Sequence, residues 1–420
     1  MITDADVIIA GAGPAGSLAA YELAIHGVRV LILEKSSFPR YKVCGAGLTH
    51  KIIREIPFDI SPVIETIIHT VQFSSHCRDV FTRISPVPVI YCSMREKLDA
   101  FLLDQAVSAG AQVHFGEQVR TIIQNGNQVE VTTNKGIFRS TLLIGAEGAS
   151  GGVARSAGLR GHIMTGLAWE AEVKTNPDIV RKYAQTVFLD WGTFPGGYGW
   201  AFPKADHFSI GVGGPASLSK HMMPYYDRFI RYLGRYIVEE AKIGMPDAGW
   251  KQNSGSDGMK WETISLRSWP IPVRVKKGNF HDKQILVTGD EAGLTDPLTG
   301  EGIYYAVRSG KLAAAACLDY LESKTTSLEK YSESVNNDLM NELLEANRIK
   351  YLFNIVPLKI HHLVRDNDRV WRAFGKVLRG ERWYADVRNG FGKWKFLWGF
   401  TCLLSKWISG YREKRYRTGI

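Results

Sequence analysis

Three patterns of apolar and polar positions divide this chain. Residues 6–10 (DVIIA) and 28–34 (VRVLILE) are continuous apolar runs that predict buried strands, and 14–26 between them reads as a helix, which makes a βαβ unit. A further helix is predicted within 93–111, where Leu98, Phe101, Leu102 and Ala106 recur at helical spacing and Gly110 closes the run. Short strands follow near 112–115, 119–123, 128–133 and 141–145. From about 160 to 275 the pattern changes to strands, turns and aromatics with few convincing helices. The buried-strand pattern returns in QILVTGDEAG (284–293), 301–322 reads as a long helix, and the chain from 328 onward is mostly helical.

The expected fold class is therefore α/β (α+β), with a discontinuous Rossmann-like dinucleotide domain (1–75, 91–158 and 278–325). A β-rich antiparallel substrate domain (76–90 and 159–277) is inserted into it, and a helical region (326–420) follows.

A length of 420 residues suits two or three domains, and 45% hydrophobic with 22% charged residues is a globular composition. The formal charge of +10 invites an anionic cofactor, an anionic membrane or nucleic acid. No nucleic-acid recognition module is visible, and much of the charge is concentrated in the tail. Cys44, Cys77, Cys92, Cys317 and Cys402 are scattered with no CxxC pair, so neither zinc nor a disulfide framework is expected. His281 and the pair His361–His362 have no carboxylate or cysteine at ligand spacing, so no metal is expected. A reducing, cytoplasmic compartment is the simpler reading. No signal peptide is apparent in MITDADVIIAGAG, and no uninterrupted apolar run is long enough to span a bilayer.

The first chemical signal is IIAGAGPAGSLAAYELA, with Gly11, Gly13 and Gly16 in GxGxxG spacing. The first glycine allows a tight turn, the second lets backbone approach a pyrophosphate, and the third lets helix and strand pack closely. The helix beginning at Pro14–Ala15 offers amides and a positive dipole end to phosphates. Glu34 ends the second strand, where an acid binds adenosine ribose hydroxyls. These features predict a dinucleotide site and leave FAD and NAD both open. In ILVTGDEAGLTDPLTGEGIYYAVRSGKLAA (285–314), a strand ends at Gly289–Asp290, and Gly300 and Gly302 open a second helix. A carboxylate there suits a sugar-alcohol hydroxyl, and a helix start at Gly302–Ile303 suits a reduced flavin ring.

Together these elements resemble the FAD enzymes related to para-hydroxybenzoate hydroxylase. Two segments narrow the resemblance. FPRYKVCGAGL (38–48) matches the R-x-K-x-C-G-x-G-L pattern of the geranylgeranyl reductase branch, and PGGYGWAFP (195–203) matches its P-x-x-Y-x-W-x-F-P motif at every fixed position. The resemblance covers roughly residues 4–320. It implies an enzyme that uses reduced FAD to saturate isolated double bonds in polyprenyl chains of lipids, chlorophyll side chains or prenyl quinones. It also implies FAD contacts from Ala15, Glu34, Arg95, Val119 (by backbone only), Asp290, Gly302 and Ile303. The D-G-x-x-S segment of the wider family appears here as EGASG, with Glu147 and Gly151 at the changed places. That departure puts direct use of NADPH in doubt, and a ferredoxin is the other electron donor considered.

Saturating an unactivated alkene requires hydride, a proton and a site that orients the alkene and excludes water. Tyr198, Trp200 and Phe202 alternate along one strand, so they share a face that suits a greasy channel and stabilises positive charge. Trp191 and Phe188 are expected to extend that wall. Cys44, with Gly45 and Gly47 beside it, is placed to approach the flavin as a proton donor or as packing. Tyr198 is a second donor candidate, and Tyr304 and Tyr305 are weaker ones.

The tail, 393–420, carries Lys393, Lys395, Lys406, Arg412, Lys414, Arg415 and Arg417 against Glu413 alone, around the apolar run FLWGFTCLL. It reads either as an interfacial helix on an anionic membrane or as a helix packed on the body with a solvated basic end. Two other functions stay open: a flavin monooxygenase or halogenase acting on an aromatic or isoprenoid substrate, and a non-catalytic FAD or lipid binder.

Overall fold

The computed structural model describes residues 3–244, 261–389 and 395–418. The apolar runs at the start form strands Ala5–Ala10 and Val30–Glu34, joined by helix Pro14–Ala24. They are the centre of an eight-stranded sheet whose parallel core runs Ile285–Val287, Ile137–Gly145, Ala5–Ala10, Val30–Glu34, Gln112–Phe115. Strands buried on both faces need covering helices, and here Pro14–Ala24, Arg95–Ser108 and Ile303–Leu321 supply them. Helices Pro14–Ala24 and Ile303–Leu321 approach so closely that a Cβ on Gly310 would lie 2.3 Å from the Ala15 carbonyl oxygen.

A second, seven-stranded sheet has the order 262–274, 163–174, 208–215, 198–203, 186–191, 70–75, 78–84. It is antiparallel except where 186–191 runs parallel to 70–75. Strand Thr70–Ser75 thus belongs to this sheet, although the sequence pattern put it with the dinucleotide unit, whose expected boundary at 75 falls at the end of this strand.

The back of the second sheet is covered by a 23-residue helix, Met222–Gly244, in a stretch where few helices were expected. Its buried Met222, Tyr225, Tyr226, Phe229, Leu233 and Ile237 recur at helical spacing. Pro224 is tolerated because it lies in the first turn. The helices after 328 pack against both units. Trp371 and Phe374 meet Phe73 of the second sheet (6.1 and 6.4 Å between ring centroids). Between the two sheets and these helices lies one large cavity.

Candidate active site

The cavity has a volume of about 1500 Å³. A single small-molecule site occupies roughly 300–1,000 Å³, so there is room here for two ligands end to end.

One end is built by the dinucleotide sheet. Gly11 turns the chain with φ +102°, and a Cβ there would strike the Ala146 carbonyl at 2.4 Å, so only glycine fits. Beside it, Gly13 and Ala15 line the cavity at the helix start. The Glu34 carboxylate is fixed by the Ala12 amide (2.8 Å) and the Ser36 amide (2.9 Å). Further along, Asp290 accepts from Thr295 Oγ1 (3.2 Å), and Gly300, Gly302 and Ile303 complete this wall.

Three cations of the same end deserve separate description. Arg95 is buried and turned onto Asp99 through two hydrogen bonds of 2.8 Å each. Burial opposes its charge, but Asp99 outweighs it, and the guanidinium pKa is raised. Arg40 shares Asp99 (3.2 Å) and approaches Glu34 (3.9 Å). Lys42 stands over the Trp269 ring (3.9 Å) and forms no ion pair among the described residues. Burial, then the nearby Arg95, pushes its pKa down to about 8. A carboxylate at a strand end, a glycine turn beside a helix start and a half-buried cation without an ion pair among the described residues fit the anionic, hydroxyl-rich FAD. Arg40 and Lys42 belong to the FPRYKVCG segment, where the sequence marked only the motif.

The other end is built by strand Tyr198–Pro203. Tyr198, Trp200 and Phe202 share the cavity face, and the Tyr198 and Trp200 rings lie 5.3 Å apart. Gly199 and Ala201 face the opposite way, toward helix Met222–Gly244. The rings lie flush against glycines. A Cβ on Gly45 would come within 2.8 Å of the Phe202 ring, one on Gly47 within 2.9 Å, and one on Gly211 within 2.2 Å of Trp200. The glycines beside Cys44 thus make room for Phe202. The Tyr198 hydroxyl donates to the Thr299 carbonyl (3.0 Å), tying the strand to the Gly300–Gly302 loop.

Two buried charged residues that the sequence reading missed hold this arrangement. Glu170 accepts from the Cys44 amide (2.8 Å) through one oxygen and from the Trp200 indole (3.1 Å) through the other. Burial, with Glu172 two residues away, pushes its pKa up to about 7. Lys204 donates to the Gly45 carbonyl (2.7 Å) and the Ser93 carbonyl (2.6 Å). The sequence signal for Glu170 was present: two carboxylates alternating in the otherwise apolar strand Ile163–Lys174.

Several expectations need correction. Phe188 does not extend the wall. It is three residues from Trp191 on one strand, so the two face opposite ways, and Phe188 packs against Tyr183 and Phe208 in the core behind the sheet. Trp191 does line the cavity. Val119 lies outside it, where strand Val119–Asn125 begins; the wall reaches Glu117 instead. Gly16 also lies outside the cavity, and a Cβ there would meet the Gly11 carbonyl at 1.9 Å, so it packs helix on strand, as its place in the glycine motif suggests, and does not line the site. Tyr304 and Tyr305 are core residues rather than wall residues. Gly151 replaces serine for a steric reason: the Glu291 carboxylate fills that space, accepting from the Glu147 amide (2.8 Å) and the Ala154 amide (2.9 Å). His362 does find a carboxylate in space, Asp79 (3.0 Å). Among the described residues no group of three His, Cys, Asp or Glu gathers to hold a metal.

Helix Lys395–Thr418 lies on the body, with Ser405 and Ser409 buried and Arg412 donating to the Asn354 and Ile355 carbonyls (3.2 and 2.8 Å). Lys393 and the side chains of 395–403, including most of FLWGFTCLL and Cys402, lie outside the described residues. No helix among the described residues is long and apolar enough to cross a membrane.

The FAD binding domain family model matches residues 4–336. Geranylgeranyl diphosphate reductase of Rhodobacter capsulatus is 30% identical over 330 residues, covering 76% of each chain. Digeranylgeranylglycerophospholipid reductase of Methanocaldococcus jannaschii is 26% identical over 395 residues, covering 89% of this chain and 92% of its own. A geranylgeranyl bacteriochlorophyll reductase-like structure from Thermoplasma acidophilum superposes with a TM-score of 0.67 at 25% identity, covering 82% of this chain and 86% of its own. The flavin-dependent brominase Bmp2 shares the fold, with a TM-score of 0.68 at 21% identity and coverage of 93% and 98%. The chain belongs to the geranylgeranyl reductase family and is an FAD-dependent oxidoreductase.

Proposed function

We propose that this protein saturates isolated C=C bonds of a geranylgeranyl or longer polyprenyl chain. The observation that carries this reading is the continuity of the cavity: the aromatic wall of Tyr198, Trp200 and Phe202 opens directly onto the Asp290–Ile303 end. The relatives named geranylgeranyl diphosphate reductase and digeranylgeranylglycerophospholipid reductase support the same substrate class. When bound and reduced, FAD supplies hydride. Glu34, Asp290 and the Gly11–Ala15 turn would hold it, and Arg40 and Lys42 would balance its negative charge. The aromatic wall orients the alkene, keeps water away and stabilises developing positive charge through its ring faces.

Glu170 is the proton reservoir of this reading. It is fully buried, lines the cavity and exchanges between protonated and ionised forms near neutral pH. Cys44, held beside Glu170 through its backbone amide, is the candidate thiol donor to the substrate. Tyr198 is less suited, because burial raises its phenol pKa further and its proton is already committed to the Thr299 carbonyl.

The electron donor is NADPH or a ferredoxin, and anaerobic flavin-reduction rates with each decide between them. The exposed Leu404, Trp407 and Tyr411, interleaved with Lys406, Arg412 and Lys414, support a reading in which the tail helix meets an anionic membrane surface. Vesicle sedimentation tests that part: replacing Trp407 and Tyr411 by Ala should reduce it, and undiminished sedimentation would refute it. For the reaction itself, geranylgeranyl substrate added without oxygen should reoxidise the reduced flavin of the wild type but not of Trp200→Ala. Equal reoxidation in both would remove the wall from the mechanism.

A further inference from the structure

Saturating one double bond consumes a proton as well as a hydride, so the cavity wall must regain that proton before the next bond is reduced. Glu170 is buried, and a prenyl chain in the cavity would shut it off from water. A chain of hydrogen bonds beside it leads to the surface. Glu172 follows Glu170 by two residues on strand Ile163–Lys174, so the two carboxylates share a face. Glu172 Oε1 accepts from the Tyr41 hydroxyl (3.3 Å). Its Oε2 accepts from the Ser209 hydroxyl (2.5 Å) and meets His207 Nε2 (3.0 Å). The other ring nitrogen, Nδ1, meets Asp206 Oδ1 (2.7 Å). Tyr41 lines the cavity, whereas the Asp206 side chain is 71% exposed, so the chain joins the cavity wall to solvent.

The His207 ring is set to carry a proton. It sits in the turn between strands Tyr198–Pro203 and Phe208–Pro215, which the Lys204 amide closes on the His207 carbonyl (2.8 Å). Both ring nitrogens face carboxylates, which only accept when ionised. A neutral ring donates through one nitrogen and the imidazolium through both, so this setting favours the charged ring. Burial opposes that charge, but Glu172 and Asp206 outweigh it, and the pKa of His207 is raised. Burial also opposes the charge on Glu172, and His207 and Ser209 outweigh it. The other charges around the chain are Lys204 near Glu172, Lys97 and Lys174 near Asp206, Glu65 on the Ala205 amide (3.3 Å) and Arg267 over the Tyr41 ring (5.0 Å).

We propose that Asp206, His207, Glu172 and Tyr41 form a relay that returns a proton from solvent to Glu170 after each bond is saturated. The charged His207 ring gives a proton to Glu172 and is recharged from water, to which Asp206 is open. Glu172 passes the proton to the Tyr41 oxygen as the Tyr41 hydroxyl proton moves to Glu170, which turnover has left ionised. Tyr41 and Glu170 both line the cavity, and this last transfer is direct or through one water. One proton enters from solvent for each one that the substrate takes. This inference rests on the proposed reductase reading and adds the route that renews its proton.

The test uses FAD-loaded enzyme kept reduced by excess dithionite without oxygen, at pH 6.5 and saturating geranylgeranyl diphosphate. Bonds saturated per enzyme are counted against time by rapid quenching and mass spectrometry. In His207→Gln the first bond should be reduced at the wild-type rate, from the proton already on Glu170, and later bonds about tenfold more slowly or worse. Tyr41→Phe, which removes a single hydroxyl, should give the same burst and decides the matter if His207→Gln does not fold. An even rate over all bonds in either folded variant, at the wild-type value or uniformly lowered, overturns the relay. If the wild type reduces no bond, the reductase reading fails. The oxidised holoenzyme still reports on the route through the infrared band of the protonated Glu170 carboxyl, assigned by its loss in Glu170→Gln. After a pH jump, about tenfold slower change of that band in His207→Gln supports the relay, and equal rates overturn it.

Discussion

Glu170 accepts a hydrogen bond from the Trp200 indole at 3.1 Å, so one buried carboxylate orients the central ring of the aromatic wall. Its other oxygen holds the amide of Cys44, whose residue lines the cavity, so the carboxylate links that segment to the wall. A proton donor held near neutrality gives turnover a definite pH dependence. Activity should be present below about pH 7 and fall as pH rises through the Glu170 pKa. Glu170→Gln should lower kcat about 10²-fold or more and flatten that basic limb, at unchanged flavin content. A variant that keeps the wild-type profile would remove Glu170 from proton delivery.

The same group predicts a stability effect of stated sign. A carboxyl whose folded-state pKa is raised binds more protons folded than unfolded, so its contribution to stability falls as pH rises from the ordinary carboxyl range to about 7. Relative to wild type, Glu170→Gln should therefore gain stability between pH 5 and pH 8, on the order of 3 kcal/mol at most. Chemical denaturation at the two pH values and equal FAD concentration checks the direction. A gain at pH 5 that disappears at pH 8 would contradict it.

Gly211 has no room for a side chain, because a Cβ would lie 2.2 Å from Trp200 and 2.8 Å from the Trp169 carbonyl. Gly211→Ala should cost about 1–3 kcal/mol and displace the ring. Thermal melting should drop and turnover with it, while visible flavin absorbance is retained. Unchanged turnover would show that the ring position does not matter.

Glu34→Ala leaves the Ala12 and Ser36 amides without their carboxylate and removes the proposed ribose acceptor. The purified protein should be colourless or bind FAD at least tenfold more weakly by fluorescence titration. Asp290→Ala should act the same way at the other end of the cofactor. Wild-type affinity in both would place the cofactor elsewhere.

The parts of this site that were legible in the sequence are those with short-range signatures. Gly11 and Gly13 are spaced for a turn at a helix start. Glu34 ends an apolar run. Tyr198, Trp200 and Phe202 have the strand period. What was hidden depends on partners far along the chain. Nothing local says that Glu170 meets Cys44 and Trp200, 126 and 30 residues away, or that Lys204 closes on Gly45 and Ser93. The resemblance implies an FAD contact at Arg95, but the sequence gives no sign that the guanidinium is turned onto Asp99, one turn along its own helix. The error at Phe188 was avoidable, since a separation of three from Trp191 reverses the face. Helix Met222–Gly244 was obscured by Pro224, Gly234 and a run of tyrosines, although its apolar spacing is helical.

The central claim is that the reduced enzyme hydrogenates a prenyl double bond. Anaerobic incubation of the reduced holoenzyme with geranylgeranyl alcohol, diphosphate and phospholipid, read by mass spectrometry, tests it most directly. Products should gain two hydrogens per bond, in step with flavin reoxidation, and should be absent with Trp200→Ala. Unaltered substrates, together with oxygen consumption and an oxygenated or halogenated product from an aromatic compound, would contradict it.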